Sequence, residues 1–459
     1  MNETRDLVDF ALSMKYEGLP AEVRETAKLC VLDTVGVALY GSKMPWSKIV
    51  AEYAKEAKSV GESGVWGQGW KTTAALAALA NATSAHGIEM DDRSALFDIH
   101  CGAAVIPVAI TVGEKTQASG KDMIAAIAAG YEVTYRLCEA LLGCCRQRFY
   151  GSPIKSLFGA TVTAGKLLGL NSSELLNAVG IAGSMASGLR EWSSDPKGTM
   201  IKRFNGGGWP AHNGVMAAIL GQKGLTGPAT ILEGDQGVCR AFGIEKEPRI
   251  GKLTEGLGER YMIMMREVKP YGTCGGLQCG VEAVNEIKSA IHVKPEQIER
   301  IDIGCSVKVR DMHDSKHPQS IMAAQYSLPF VSAYAFFEDL SDPAVWDESI
   351  LNKPEIVSLV QKVNISIDEE LDKIYRETND YGGIKMTVRL KDGKEQKTQV
   401  RYFRGQMERP ATFEDIHRKF NVLAGHVCSK ERLDEIAGLV DKLEEMKSPA
   451  PLGEALTRS

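Results

Sequence analysis

Two apolar helical runs, Ala74-Ala-Leu-Ala-Ala-Leu-Ala80 and Ala103 to Val112, enclose the most polar part of this chain. Between them stand His86-Gly-Ile-Glu-Met-Asp-Asp-Arg93 and the start of Asp98-Ile-His100-Cys-Gly-Ala-Ala-Val-Ile-Pro107. Two histidines, four carboxylates and an arginine thus fall in one short stretch. Ionisable groups held between two buried helices are costly unless they are paired or used. Any fold of this chain must therefore gather them into an internal network or a working site. Acids and bases perturbed in this way suit proton transfer. A plain structural alternative exists, in which Asp91 and Asp92 cap a first helical turn.

The rest of the composition narrows the class. With 459 residues the chain has room for two or three domains. Hydrophobic content of 44% and charged content of 25% are those of an ordinary soluble globular protein. The net charge of -5 gives no reason to expect nucleic acid or an anionic membrane as partner. The N-terminal Met1-Asn-Glu-Thr-Arg-Asp lacks the apolar core of a signal peptide. No run approaches the roughly 18 apolar residues of a membrane span. A cytoplasmic protein is expected. The ten cysteines form no spaced framework: Cys144 and Cys145 are adjacent, and no Cys-x-x-Cys occurs. That spacing disfavours structural zinc, and an iron–sulfur cluster of the aconitase kind needs several converging thiolates. Buried free thiols are expected instead. There is no Gly-x-Gly-x-x-Gly after a strand and no Walker loop, so no metal and no cofactor is expected.

Apolar residues three and four apart run through the first 265 or so positions. Helices are expected at Asp9 to Met14, Pro20 to Tyr40, Ser47 to Ser59, Thr72 to His86, Ala103 to Thr116, Lys121 to Leu142, Leu157 to Leu168 and Ser173 to Met185. Asn171-Ser-Ser-Glu174 reads as a cap before the last of these. Near Lys269 the pattern changes. Gln297 to Val307 alternates polar and apolar residues, as a strand does. Ile384 to Tyr402 reads as two strands joined by the turn Lys391-Asp-Gly-Lys394. Pro329 to Glu338 and Pro354 to Val363 read as helices. Phe413 to Met446 returns to amphipathic helix. The fold class expected is mainly α with an α+β second domain. Its boundaries are 1–268 plus 405–459 for the helical domain and 269–404 for the insertion.

Several segments resemble motifs of the MmgE/PrpD family, whose members include 2-methylcitrate dehydratase, cis-aconitate decarboxylase and iminodisuccinate epimerase. His86, Glu89, Asp91, Asp92, His100 and Pro107 match its His-x-x-Asp-(Phe/Met)-Asp-Asp and following segments. Phe158 to Leu170 resembles its central helix, and Lys202-Arg-Phe-Asn-Gly-Gly-Gly-Trp-Pro-Ala-His-Asn-Gly214 its lysine motif. Gly224 to Pro228, Ile231 to Gly234, Lys269-Pro-Tyr271 and Tyr326 to Phe330 follow in the family's order. The resemblance implies a two-domain fold, a homodimer and a small polycarboxylate substrate.

Candidate roles follow from residue chemistry together with that resemblance. His100, at the start of an apolar helix, is the first choice of base or acid, beside backbone N–H groups that suit an anion. Glu89 stands where the family has Asp, and can polarise His100 or pair with Arg93 at i,i+4 spacing. Arg93 suits a substrate carboxylate. Lys202 and Arg203 are expected to fix a carboxylate, with the Gly206–Gly208 amides adding hydrogen bonds. Asp91, Lys269 and Gln278 complete the expected substrate-binding set. The chain departs from the family at two histidines. Gly151-Ser-Pro-Ile-Lys155 stands where relatives have Gly-x-His-Pro-Thr, which leaves Tyr150 and Lys155 as nearby proton carriers. Gln278 stands at the other histidine, and a tyrosine used by some members falls near Phe330.

The leading expectation is a cofactor-independent lyase that removes a proton α to a carboxylate of a small di- or tricarboxylic acid. An isomerase or epimerase of a small dicarboxylate needs only two acid/base groups flanking one carbon, and is the alternative. A non-catalytic carboxylate-binding relative is the third reading.

Overall fold

The computed structural model describes residues 2–97, 99–144, 148–195 and 198–459. Asp98 and Cys145 lie outside the described residues. The chain divides into two compact units, Met1–Arg266 with Phe413–Ser459, and Glu267–Thr412.

The first unit is helical because its apolar residues recur at helical spacing and leave no polar face on the central elements. Ala21–Gly41 and Gly120–Ala140 are buried on almost every side, the pattern of helices inside a bundle rather than on its surface. Gly151–Leu167 packs between Gly120–Ala140 and Trp209–Gln222. Ala74–Ala85 packs against Gly102–Thr116. The chain between these last two carries the polar stretch. Ser172–Met185 opens with the expected capping box, in which Asn171 and Glu174 satisfy each other's backbone N–H groups. The central helix starts at Gly151, earlier than the expected Leu157. Pro153 sits in its first turn, where a missing N–H costs nothing. After the second unit, Phe413–Ala424 returns to pack on Ala21–Gly41. Its Lys419 is buried, 2.6 Å from Asp33, and donates to the carbonyl of Met90.

The second unit is a four-stranded sheet covered by helices. Its order is Val363–Ile367, Ile298–Cys305, Ile384–Leu390, Glu395–Val400; the first pair is parallel and the others antiparallel. Ile301, Ile303, Ile384, Met386 and Val388 are buried and supply the apolar face that receives Val281, Val284 and Ile287 of the Gln278–Ile291 helix. The strand Val363–Ile367 has a weak sequence signal, since only Val363 along it is buried; the helix Glu369–Thr378, which the apolar spacing alone passes over, is marked instead by its Asp368 cap and acidic first turn. The unit also extends further than the expected 269–404. Val268 N–H donates to Gly405 O at 2.9 Å, and Arg409 pairs with Glu282, so residues 405–412 belong with the sheet. Among the described residues no helix is long and apolar enough to cross a membrane. The described cysteines are thiols.

Candidate active site

Helix Ala74–Ala85 ends at His86, and the chain then runs irregularly to Gly102. Glu89 adopts φ 60°, a left-handed backbone that costs a non-glycine residue about 1–3 kcal/mol. The conformation turns Glu89 inward. Its carboxylate takes close contacts from both Lys202 and Arg203, and all three are buried. The expected i,i+4 pair of Glu89 with Arg93 does not form, because the segment does not coil. Arg93 is itself buried.

Asp91 stands at the centre. Its Oδ2 lies 2.6 Å from His86 Nδ1 and 3.1 Å from His100 Nδ1. A carboxylate accepts, so both Nδ1 atoms carry the hydrogen. Asp91 is fully buried, and it orients two imidazoles. His86 is also fully buried, and burial pushes its pKa down to about 3 against the opposing pull of Asp91. The neutral ring has its lone pair on Nε2. That atom is 2.9 Å from the Tyr150 hydroxyl, which donates to it, and 3.4 Å from Lys202 Nζ. Tyr150 stacks edge-on against Trp192, with ring centroids 5.3 Å apart. It is set there by two pairings, Tyr150 N–H to Gly188 O at 2.9 Å and Arg190 N–H to Arg148 O at 3.1 Å.

His100 is the half-open member, with 15% of its side chain exposed. Its Nδ1 hydrogen is shared with Asp92 O at 3.1 Å, which leaves the Nε2 lone pair for chemistry. The expected anion site on the following helix is already occupied from within. Asp92 Oδ1 accepts from Gly102 N–H at 2.9 Å, and Tyr131 donates to its other oxygen. Burial raises the Asp92 pKa to about 7. A Cβ at residue 102 would come within 2.6 Å of Asp92 Oδ1, so this capping needs glycine.

The glycine run has a different role from the expected anion cradle. Phe204–Gly208 forms one π-helical turn that leads into Trp209–Gln222 and presses on Ala74–Ala85. A Cβ on Gly206 would meet the His86 ring at 2.3 Å, and one on Gly207 would meet Ala82 O at 2.2 Å. The run brings Lys202 and the His86 helix together. Arg203, expected on substrate, is held by Glu89 and lies with its Cζ 5.7 Å from the Trp46 ring centre. Lys155, expected to carry a proton, donates to Phe97 O at 3.2 Å and ties the 94–99 loop to the central helix.

Two expected residues lie in the second unit. Lys269 is fully buried. Gln278 is also fully buried, and its amide is committed to the loop before it. Oε1 accepts from Tyr271 N–H at 3.1 Å, and Nε2 faces Tyr271 O, Thr273 O and Thr273 Oγ1 at 2.9–3.1 Å. It holds a turn. Nearby, His313 Nδ1 donates to Tyr326 O at 2.7 Å.

Among the described residues, His86, Asp91 and His100 are the group whose possible metal-ligand atoms gather most closely, within 4.8 Å. The direct hydrogen bonds between them fit a proton-handling network. His86 and Trp192 were not assigned roles from sequence. The five-residue spacing of His86 and Asp91 was the available signal for the first, and none pointed to the second.

The same cluster falls in the part of the chain that matches the MmgE/PrpD N-terminal domain, residues 5–251. Residues 271–445 match the MmgE/PrpD C-terminal domain. The cis-aconitate decarboxylase of Aspergillus terreus is 27% identical over 99% of this chain and 95% of its own. A cis-aconitate decarboxylase-like protein of Aspergillus oryzae is 25% identical over 96% of this chain and 95% of its own. Human cis-aconitate decarboxylase is 24% identical over 95% and 90%. With both family domains matched in order along nearly its whole length, the chain belongs to the MmgE/PrpD family.

Proposed function

We propose that this protein is a lyase acting on a small di- or tricarboxylic acid, with proton transfer α to a carboxylate carried out in the helical unit and without a cofactor. One observation carries the reading. A partly exposed imidazole, His100, stands in the same cluster as two buried cations, Lys202 and Arg203, which meet on Glu89. An anionic substrate is drawn to the two cations, and His100 supplies the base. Lys202 then stabilises the negative charge that develops as the proton leaves. Relatives named cis-aconitate decarboxylase make a tricarboxylate the first substrate to test.

Arg93 is assigned to a substrate carboxylate as part of this proposal. Substituting it by Met is expected to raise KM more than it lowers kcat. A homodimer in the cytoplasm is proposed with it, and light scattering tests the stoichiometry.

The isomerase reading draws support from a specific feature. His100 and Tyr150 are two separate proton carriers, as removal and return of one proton require. Incubation with cis-aconitate, citrate, methylcitrate, malate-type and iminodisuccinate-type acids in D2O, followed by proton NMR, separates the readings. Decarboxylated or vinylic products support the lyase. Deuterium exchange with the carbon skeleton intact supports the isomerase. A thermal shift with no turnover on any acid supports a binding protein.

A further inference from the structure

His86 lies one layer beneath any open surface, and its neighbours specify its protonation at both nitrogens. Nδ1–H donates to Asp91 at 2.6 Å, and Nε2 accepts from Tyr150 at 2.9 Å. We propose that Tyr150 is a second acid/base group of this site and that the Asp91–His86 pair is the device that positions and activates it. The inference rests on the lyase-or-isomerase reading above and deepens it by assigning what positions and activates Tyr150.

Three features of the surroundings support it. The carboxylate is shared, since Asp91 Oδ2 also holds His100 at 3.1 Å. The ring planes of His86 and His100 meet at 63° with centroids 4.8 Å apart. One anion therefore orients both the exposed imidazole and the buried one. Second, the phenol's hydrogen points inward to His86, which turns its oxygen lone pairs away from the imidazole. Third, space at the junction is exhausted: a Cβ on Gly206 would fall 2.3 Å from His86 and 3.0 Å from the Tyr150 oxygen.

The step balances as follows. The Tyr150 oxygen takes a proton from the substrate carbon as the phenol's own hydrogen passes to His86 Nε2. The electron pair of the broken C–H bond stays on the substrate, and the imidazolium formed, which burial disfavours, is held for the duration of the transfer only by its pairing with Asp91 through Nδ1. Reversal of both transfers restores the phenol and the neutral ring. This is the logic of an oriented base acting on a hydroxyl, with a phenol in the place of an alcohol. The charged groups that face His86 are Asp91, His100 and Lys202. Lys202 Nζ also lies 6.0 Å from the Tyr150 ring centre, where a cation favours the electron-rich phenol.

Two variants and one spectrum test the proposal. Tyr150→Phe keeps the ring against Trp192 and removes only the hydroxyl. With cis-aconitate and the other acids named above, it is expected to keep its unfolding temperature and lose about 10²–10⁴-fold in kcat, with KM little changed. His86→Gln can accept from Tyr150 but cannot take a proton, and is expected to lose kcat and one limb of the pH–rate profile. The downfield proton resonance of His86 Nδ1–H is read without substrate and is expected to shift in both Tyr150→Phe and His100→Ala. Wild-type turnover in Tyr150→Phe, an unchanged pH profile in His86→Gln, or a resonance indifferent to Tyr150→Phe would overturn the proposal. A wild-type protein inert on every acid that still shows the coupled resonance would refute the lyase and isomerase readings while supporting the hydrogen-bond pairing itself.

Discussion

The helical unit and the second unit each contain a polar motif recognisable in the sequence, and the two use their hydrogen bonds in opposite ways. Around His86 the side chains bond chiefly to one another: Asp91 to two histidines, Glu89 to Lys202 and Arg203, and Tyr150 to His86. Such a network keeps charge and protons mobile, and it reaches a partly exposed edge at His100 and Tyr150. Around Gln278 the side chain bonds to backbone and to one threonine of its own loop, at Tyr271 and Thr273. That arrangement fixes a turn and carries no charge. Substitutions that remove a network member should therefore strike activity or pH response, whereas those in the turn should strike stability alone.

The comparison can be broken in four places, taken from the largest expected effect downward. Lys202→Met removes the cation beside His86 and Glu89, and is expected to lower kcat/KM by about 10³-fold or more; steady-state kinetics on cis-aconitate measures it. Glu89→Ala leaves two buried cations facing each other. It is expected to cost about 3–5 kcal/mol of folding stability, read from the urea midpoint, with Glu89→Asp recovering part of it. Gln278→Ala leaves buried acceptors of the 271–273 loop unpaired and is expected to cost about 1–3 kcal/mol with the pH profile of activity unchanged. An altered profile would bring the second unit's motif into the chemistry. The smallest effect concerns acid stability. His86 is held neutral, with its pKa lowered to about 3 by burial, so the unfolded chain binds the proton more readily. Its contribution is fully present above about pH 6.5, the unfolded value, and is lost as the pH falls toward 3. His86→Gln is expected to flatten the acid limb of thermal stability between those limits. Asp92 works in the other direction: its pKa is raised to about 7, so its contribution is present below about pH 4 and fades as the pH rises to 7.

Much of this architecture is legible in the residues themselves. Apolar spacing of three and four marks the helices of the first unit, and alternation marks Ile298–Cys305 and the Ile384–Val400 hairpin. The hairpin's Asp-Gly turn is present as read, with Gly393 at φ 87°. The strand Val363–Ile367 escaped because only Val363 along it is buried, so no alternation declares it. The candidate site was legible as a set of residue types and less so as a set of roles. Which carboxylate meets which cation depends on chain direction after residue 86, and that is set by the φ 60° of Glu89, which no spacing rule gives. Gly206–Gly208 read as an anion cradle or a tight turn before the next helix, and the same absence of a Cβ also permits close packing. The contacts at 2.2–2.3 Å that a Cβ would make decide for packing. Gln278 stood in a family motif, and the backbone geometry that absorbs its amide lies beyond what sequence order conveys.

The central claim is that proton transfer at a substrate carbon is carried out by the His100–Asp91–His86–Tyr150 cluster of the helical unit. Its most direct test is proton NMR of the reaction in D2O with cis-aconitate and the related acids, comparing wild type with His100→Ala. The account predicts a wild-type product or exchanged substrate carrying solvent deuterium at the carbon that changes, and loss of that signal in the variant. Deuterium transfer that survives undiminished in His100→Ala would contradict it and would place the chemistry elsewhere in the molecule.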